Sequence, residues 1–320
     1  MASIVDQTVE IRKIWGGFQA SRVLITANNL RIFDHLNKQK TAGEIANTIK
    51  GDRRAIEILL DALAGLGLLR KQHGRYKNAA IASRLLVSGS SYYQGDIITH
   101  IDSLWDRWQD LDEIVKTGKP SQKSRNHEAF ILGMHNLAVV RAKEIVREIG
   151  LTGIKKALDL GGGPGTYAIE LASNGLMVTL FDLPETVEIA RDVVSRSKAR
   201  DRNIKFVGGD FLKDEIGNGY DLVLLSQILH MFSDKVNIKL LKKCRRALSN
   251  KGKVVVQDFF INEARTQPAC SSLFAINMLV NTDGGRTYSP SEIKGWLSKA
   301  GFRSIRKKVL ADGVMVSARK

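Results

Sequence analysis

Within this chain of 320 residues, the stretch that most restricts the fold is Ala157-Leu-Asp-Leu-Gly-Gly-Gly-Pro-Gly-Thr-Tyr-Ala-Ile-Glu-Leu-Ala172, where a short apolar strand runs into four glycines and then a helical pattern. Glycine is needed where the backbone turns sharply and where main-chain N–H groups must approach a ligand without a Cβ in the way. The segment therefore reads as the opening βα unit of a nucleotide-binding sheet. Three acidic residues sharpen the reading: Asp159 just before the glycines, Asp182 after Val178-Thr-Leu-Phe181, and Asp210 after Ile204-Lys-Phe-Val207.

An acidic residue about twenty positions beyond the glycines also suits a dinucleotide site, where it accepts the ribose hydroxyls. The loop Gly161-Gly-Gly-Pro-Gly165, however, lacks the Gly-x-Gly-x-x-Gly spacing. Asp159 would also put a carboxylate where a pyrophosphate needs positive or neutral surroundings. A carboxylate there suits a cationic cofactor, such as the sulfonium and ammonium of S-adenosylmethionine. The rival readings are an NAD site and a glycine turn without a ligand.

Length favours two domains, and 43% hydrophobic residues with 5 prolines describe a well-packed globular chain. Cys244 and Cys270 are too few for a disulfide framework, and no Cys/His cluster has zinc spacing, so no metal is expected and a reducing compartment is. With no leader pattern and no apolar run of about twenty residues, the expectation is a cytoplasmic protein without a membrane span. The net charge of +16 raises the question of nucleic-acid binding. It is spread through the chain: residues 1–100 carry 14 Lys and Arg against 8 Asp and Glu, and residues 101–320 carry 35 against 25. The densest cluster, Lys235 to Arg246, has apolar residues at helical spacing and reads as a solvated helix face.

Helical periodicity runs from Glu10 to about Leu69, through Ile14, Phe18, Val23, Ile32, Phe33 and Leu36. Within it, Thr41-Ala-Gly-Glu44 is a capping box opening a short helix over Ile45 to Ile49, and Asp52 caps a second helix reaching Ala64. A hairpin, Arg70 to Tyr76, follows with its turn at His73-Gly74. Helix, turn, helix and β-wing make a winged helix, so DNA binding through the second helix has to be weighed. Beyond Arg53 and Arg54, that helix offers Glu57 and Asp61 among Ile, Leu and Ala, a face suited to packing on protein.

From Leu151 onward short apolar strands alternate with helices: Ala157 to Leu160, Met177 to Phe181, Ile204 to Val207, Tyr220 to Ser226, Lys253 to Phe259, and a closing pair, Arg303 to Leu310 and Gly313 to Ala318. Such alternation predicts an α/β fold with a parallel, doubly wound, Rossmann-like sheet that binds ligands at the carboxyl ends of its strands. The predicted division is 1–100 for the winged-helix domain and 101–320 for the sheet domain, with 101–150 as a helical linker roofing the site.

Taken in order, Leu158-Asp-Leu-Gly-Gly-Gly-Pro-Gly165, Phe181-Asp-Leu-Pro184, Gly208-Gly-Asp-Phe211 and Leu229-His-Met-Phe-Ser-Asp234, behind a winged helix, resemble the class I O-methyltransferases of the plant caffeate and hydroxyindole type and their bacterial relatives. The resemblance covers nearly the whole chain. It implies a homodimer built through the N-terminal domain and S-adenosylmethionine bound by the sheet, with a small-molecule acceptor. By resemblance, Gly161, Gly163 and Gly165, beside Asp159, surround the methionine end of the cofactor, and Asp182 with Leu183 meets the ribose. Asp210 and Phe211 border the adenine, as does Ser226, which replaces an adenine-contacting Lys of the family.

His230 falls at the family's catalytic base, just past the fourth strand. An acceptor hydroxyl must lose its proton as it attacks the methyl carbon, and a neutral imidazole, with an ordinary pKa near ~6.5, can take it. The pattern departs from the family in two places: Met231 stands where an Asp is common, and Gly285 stands where a second supporting acid is expected. Asp258 remains to orient the imidazole. That departure leaves C-methylation of a ring substrate of tetrapyrrole or quinone type open, beside a nucleic-acid-binding or RNA-methylating reading. Trp105, Met134, His135, Asn277 and Met278 are the candidates for the acceptor pocket.

Overall fold

The computed structural model describes residues 2–197, 203–311 and 313–320. The chain divides into two compact units, Met1–Ser103 and Leu104–Lys320. The first opens with α1 (Ile4–Asn29) and α2 (Ile32–His35), followed by β1 (Lys40–Thr41), α3 (Ala42–Ile49), α4 (Arg53–Gly65), β2 (Leu69–Gln72), β3 (Arg75–Asn78) and α5 (Ala80–Leu85). Both capping signals act as the sequence predicts: Thr41 and Glu44 cap α3 reciprocally, and the Asp52 carboxylate accepts the Ala55 N–H at α4. The wing turns through His73 and Gly74, both at positive φ, the conformation a tight hairpin requires. Lys40 and Thr41 pair with this hairpin as a third strand, ordered β1-β3-β2. Periodicity cannot reveal a strand of two residues.

The second unit is reached through α6 (Gly95–Trp108), which crosses the boundary, and continues with α7 (Leu111–Thr117), α8 (His127–Val139) and α9 (Ala142–Ile149). Then come β4 (Lys156–Leu160), α10 (Thr166–Ser173), β5 (Met177–Asp182), α11 (Pro184–Arg196), β6 (Ile204–Gly208), β7 (Tyr220–Ser226), a 3₁₀ turn at Leu229–Met231, α12 (Asp234–Ala247) and β8 (Leu248–Asp258). The chain ends with α13 (Ala269–Asn281), α14 (Pro290–Lys299), β9 (Arg303–Leu310) and β10 (Gly313–Arg319). Seven strands form one sheet in the order β6-β5-β4-β7-β8-β10-β9.

The first five strands in that order are parallel, whereas β10 runs antiparallel to β8 and β9. A connection as short as that between β9 and β10 can close only an antiparallel pair, so the sheet is mixed rather than wholly parallel. Strand β8 also begins at Leu248, five residues before the predicted Lys253, because the turn-like Ser249-Asn-Lys-Gly252 bulges between pairings Tyr220↔Leu248 and Leu222↔Lys253. A Cβ at Gly252 would come within 2.9 Å of the Tyr220 carbonyl oxygen.

Period-two alternation makes the sheet doubly wound. Leu158, Leu160, Val223, Leu225, Val254 and Val256 enter one core with residues of α12 and α14, while Ala157, Leu222, Leu224 and Val255 enter the other with residues of α9, α10 and α11. Both faces being covered is what keeps the parallel strands apolar throughout. Polar groups survive where strands end, and there the chemistry collects.

Candidate active site

Asp159 has the parity of Ala157, which turns it toward the α10 side, beneath the glycine loop. It is 1% exposed, and its Oδ2 has no hydrogen-bond partner among the described residues. Burial pushes its carboxyl up to about 7, with the charge of Asp182 adding to the effect. Above it, a Cβ on Gly162 would stand 2.8 Å from Leu180 and 3.1 Å from the Asp159 carboxyl carbon, so the loop can close over this acid only as glycine. Gly161 holds φ +69° and donates its N–H to the Phe181 carbonyl at 2.8 Å. A Cβ there would meet Ile228 Cδ1 at 2.3 Å.

Gly163 faces open space, with nothing within 4 Å of where its Cβ would lie, and its N–H donates to Asp182 Oδ2 at 2.8 Å. The other Asp182 oxygen accepts the Leu183 N–H at 2.7 Å. Burial raises the Asp182 carboxyl, and these two amides oppose the rise. Gly165, at φ +79°, turns the chain into α10. His127, which the sequence did not single out, bonds Thr186 through Nε2 at 3.2 Å and adds positive potential at Asp182.

Beyond β6, Asp210 accepts the Leu212 N–H at 2.9 Å and pairs with Lys213 at 3.0 Å; the Lys213 hydrogen bond, the largest influence, holds its carboxyl below the usual range. This is a loop-capping arrangement. Phe211 is half-buried and meets Phe232 edge-on at 6.0 Å between ring centroids. Ser226 donates to Gln257 Oε1 at 2.7 Å. The next residue, Gln227, takes φ +59° and buries an amide oxygen with no partner among the described residues.

His230 sits in the 3₁₀ turn beyond β7, buried at 7% exposure. Its Nδ1 lies 2.8 Å from Asp258 Oδ1, and its backbone N–H reaches the other carboxylate oxygen at 3.3 Å. Asp258, the last residue of β8, is anchored by the Phe259 N–H at 2.8 Å. Rings enclose the imidazole: Phe274 stands edge-on at 5.0 Å and Phe259 is tilted at 5.7 Å. With Nδ1–H donated to Asp258, the proton is assigned to Nδ1 and Nε2 carries the lone pair. No hydrogen bond engages Nε2 among the described residues. Neither phenylalanine carries a signal that sequence alone could read, since each joins the imidazole only through the fold.

Gly285 explains its own departure. A Cβ at this position would lie 2.3 Å from the His230 carbonyl oxygen and 2.6 Å from Thr282 Oγ1, so the backbone passes too close for any side chain, acidic or not. Asp258 is thus the imidazole's one carboxylate partner among the described residues. Met231 closes the same 3₁₀ turn.

The acceptor candidates divide. Asn277 Oδ1 accepts the Trp108 indole N–H at 3.2 Å, and Met278 is buried at 7% exposure. His135 lies instead against the glycine loop, its Nδ1 2.8 Å from the hydroxyl of Thr166, the first residue of α10. Met134, its neighbour on α8, is half-buried, as is Trp105 on α6. The dense positive charge lies elsewhere: a cavity of about 460 Å³ opens at the other end of β8, lined by Lys253, Arg306, Lys308, Arg319 and Glu148 among others.

Residues 114–303 match the family model of an O-methyltransferase domain, and residues 13–88 match that of an O-methyltransferase dimerisation domain. Among curated relatives, the 3-hydroxy-5-methyl-1-naphthoate 3-O-methyltransferase of Streptomyces sahachiroi is 30% identical over 305 residues, spanning 91% of this chain and 88% of the relative. The tetracenomycin polyketide synthesis 8-O-methyl transferase of Streptomyces glaucescens is 32% identical over 313 residues, spanning 93% and 92%. Among solved structures, human N-acetylserotonin methyltransferase in complex with S-adenosylmethionine superposes with a TM-score of 0.90 at 26% identity, over 100% of this chain and 99% of that one. The chain belongs to the O-methyltransferase family. It is an S-adenosylmethionine-dependent O-methyltransferase.

The residues present fit that cofactor. An unpartnered buried carboxylate oxygen at Asp159, a second, half-buried acid at Asp182 and clear space over Gly163 make a cradle for a ligand that brings positive charge. NAD, with its pyrophosphate, would place negative charge on the same acids. Among the described residues no helix is long and apolar enough to cross a membrane, and no group of acidic, His or Cys side chains is arranged to hold a metal.

Proposed function

We propose that this enzyme methylates a hydroxyl of a small aromatic or polycyclic acceptor, with His230 as general base and Asp258 as its orienting partner. The observation that carries the reading is the buried His230–Asp258 hydrogen bond of 2.8 Å inside a ring-lined site, which leaves Nε2 free to accept a proton. The cofactor, when bound, supplies an electrophilic methyl group. Asp159 and Asp182, with Leu183 and the side-chain-free surface of Gly161, Gly163 and Gly165, receive its charged and ribose portions, with Asp210, Phe211 and Ser226 toward the adenine. Asp258 holds the imidazole in the tautomer that takes the acceptor's proton at Nε2. As that proton arrives, the carboxylate stabilises the imidazolium. Trp105, Met134, Asn277 and Met278 hold the acceptor, whereas His135, tied to Thr166, serves the cofactor side. Incubation with S-adenosylmethionine labelled in its methyl group and a panel of hydroxylated aromatics tests the reading. Label in an aryl methyl ether is expected; label only on ring carbon, or only in RNA, would overturn it.

The same reading makes the enzyme a cytoplasmic homodimer joined through residues 1–100. Support comes from α1, where Ile4, Ile11, Ile14, Trp15 and Phe18 leave an apolar stripe exposed, Ile14 at 76% and Trp15 at 61%. A stripe of that extent on one helix marks a protein interface. Nucleic acid is not expected there, because α4 exposes Glu57 and Asp61, and Asp61 is held by Lys71 and Tyr76. Ile14→Asp with Phe18→Asp should convert a dimer to monomers in analytical ultracentrifugation, and an unchanged dimer would place the interface elsewhere.

A further inference from the structure

One face of α13 joins the imidazole to a buried arginine, and a second arginine stands near that one. Phe274 packs on His230; Asn277, three residues on, bonds Trp108; Asn281, a turn further, accepts from Arg107 Nε at 2.7 Å. Positions 274, 277 and 281 share a face and span about 10 Å along the helix axis. Arg107 is buried at 8% exposure, and its other donors are spent on the carbonyls of Lys123 and Ser121, so its charge is fixed in place without a bonded carboxylate. The nearby acid, Asp110, is itself taken by Lys123 and Ser121.

The second arginine, Arg125, precedes α8 and stacks its guanidinium on the Phe130 ring at 4.5 Å. Phe130 lies one helical turn before Met134, which ties the stack to the helix carrying acceptor candidates. Arg125 has no ion pair and no hydrogen bond among the described residues. Its side chain is exposed, while the neighbouring protein, with Arg107 repelling it, pushes its pKa down. A cation held this way gains by meeting an anion brought from outside, and a guanidinium stacked on a ring presents its fork of donors edge-on, the geometry that grips a carboxylate.

We infer that the acceptor is an aromatic carrying a carboxylate or comparable anionic group, gripped by Arg125 in the positive field of Arg107 while its hydroxyl meets His230. This rests on the reading of His230 as the base and adds the class of acceptor. Arg107 is a positioning residue here, and Arg125 is the one that touches substrate.

Matched pairs of hydroxylated bicyclic and tricyclic aromatics, with and without a carboxylate, provide the probe. For wild type, KM should be at least tenfold lower for the carboxylate-bearing member of a pair, with kcat similar. Arg125→Gln should collapse that ratio toward one, and Arg125→Lys should restore part of it. Calorimetry on His230→Ala saturated with S-adenosylhomocysteine separates the two readings, because the preference for the carboxylate should persist there as a binding preference even without turnover. Equal KM values within pairs for wild type, or an Arg125→Gln effect equal on both members, would overturn the inference. So would failure of every carboxylate-bearing aromatic to bind the wild-type complex with S-adenosylhomocysteine. Retained selectivity in a His230→Ala enzyme of undiminished kcat would overturn the base instead.

Discussion

On the proposed reading, the cofactor end presents acids and the acceptor end presents arginines. Under the glycine loop lie two acids, Asp159 buried with an unpartnered oxygen and Asp182 half-buried and held by two amides. Arg107, bonded to Asn281 of α13, and Arg125, stacked on Phe130 of α8, have no bonded carboxylate among the described residues. Between these ends sits His230 with Asp258, a pair that satisfies itself. A buried charge left unmatched costs free energy that a ligand of opposite sign recovers, which bears on Asp159 and Arg107. On that reading the two ends match the charge of what they receive, and the centre carries out the proton transfer.

The sharpest way to break this comparison is to remove the centre. His230→Ala should lower the rate by ~10²–10⁴-fold, the usual effect of deleting a positioned base, while calorimetry finds S-adenosylmethionine affinity nearly unchanged. A loss of affinity as large as the loss of rate would show that His230 belongs to the cofactor end instead.

Closing the loop by steric means should come next. Gly161→Val combines a side chain at φ +69° with a Cβ 2.3 Å from Ile228. Left-handed strain and overpacking each cost on the order of 1–3 kcal/mol. Tm should fall, and cofactor binding should weaken at least tenfold.

A subtler effect tests the acidic end directly. The Asp159 carboxyl titrates at about 7 in the fold against 3.8 ordinarily. The folded chain thus keeps a proton that the unfolded chain has released, so stability without cofactor should fall as pH rises from about 4 to about 7 and stay low above that. Asp159→Asn should flatten that slope and raise Tm by several degrees at pH 8, yet weaken S-adenosylmethionine binding. Melting curves across pH in the presence and absence of cofactor check both. An unaltered slope would mean that Asp159 carries no such burden.

Ser226→Ala marks the lower limit. It removes one side-chain hydrogen bond to Gln257, worth about 1 kcal/mol, so cofactor affinity should shift by less than about tenfold in titration calorimetry.

Much of this architecture is legible in the order of residues. The capping box at Thr41, the wing at His73-Gly74 and the glycine loop at Gly161 each depend on residues within a few positions of one another, and local rules of capping and φ preference read them directly. The bulge in β8 is not legible in that way, because Ser249-Asn-Lys-Gly252 has the composition of a turn while β7 supplies pairing from thirty residues away. His135 reads as an acceptor contact from its place beside Met134, and only the structure shows its Nδ1 beside the Thr166 hydroxyl. A helical residue's direction depends on which neighbour the helix packs against, and spacing alone does not fix that neighbour.

By itself, then, the order of residues determined the alternation of strand and helix, the turn that only glycine permits, and the presence of His230 just past one strand and of Asp258 near the end of another. Tertiary structure decided that these two meet at 2.8 Å, that Phe259 and Phe274 wall them in, and that Arg107 reaches Asn281 on the helix that carries Phe274. It also decided that Gly285 presses too near the His230 carbonyl for a second acid. Local patterns are enforced by torsional preference and period, whose range is a few residues. Which strand ends lie side by side depends on the order β6-β5-β4-β7-β8, set by burial of both sheet faces together, a property of the whole chain.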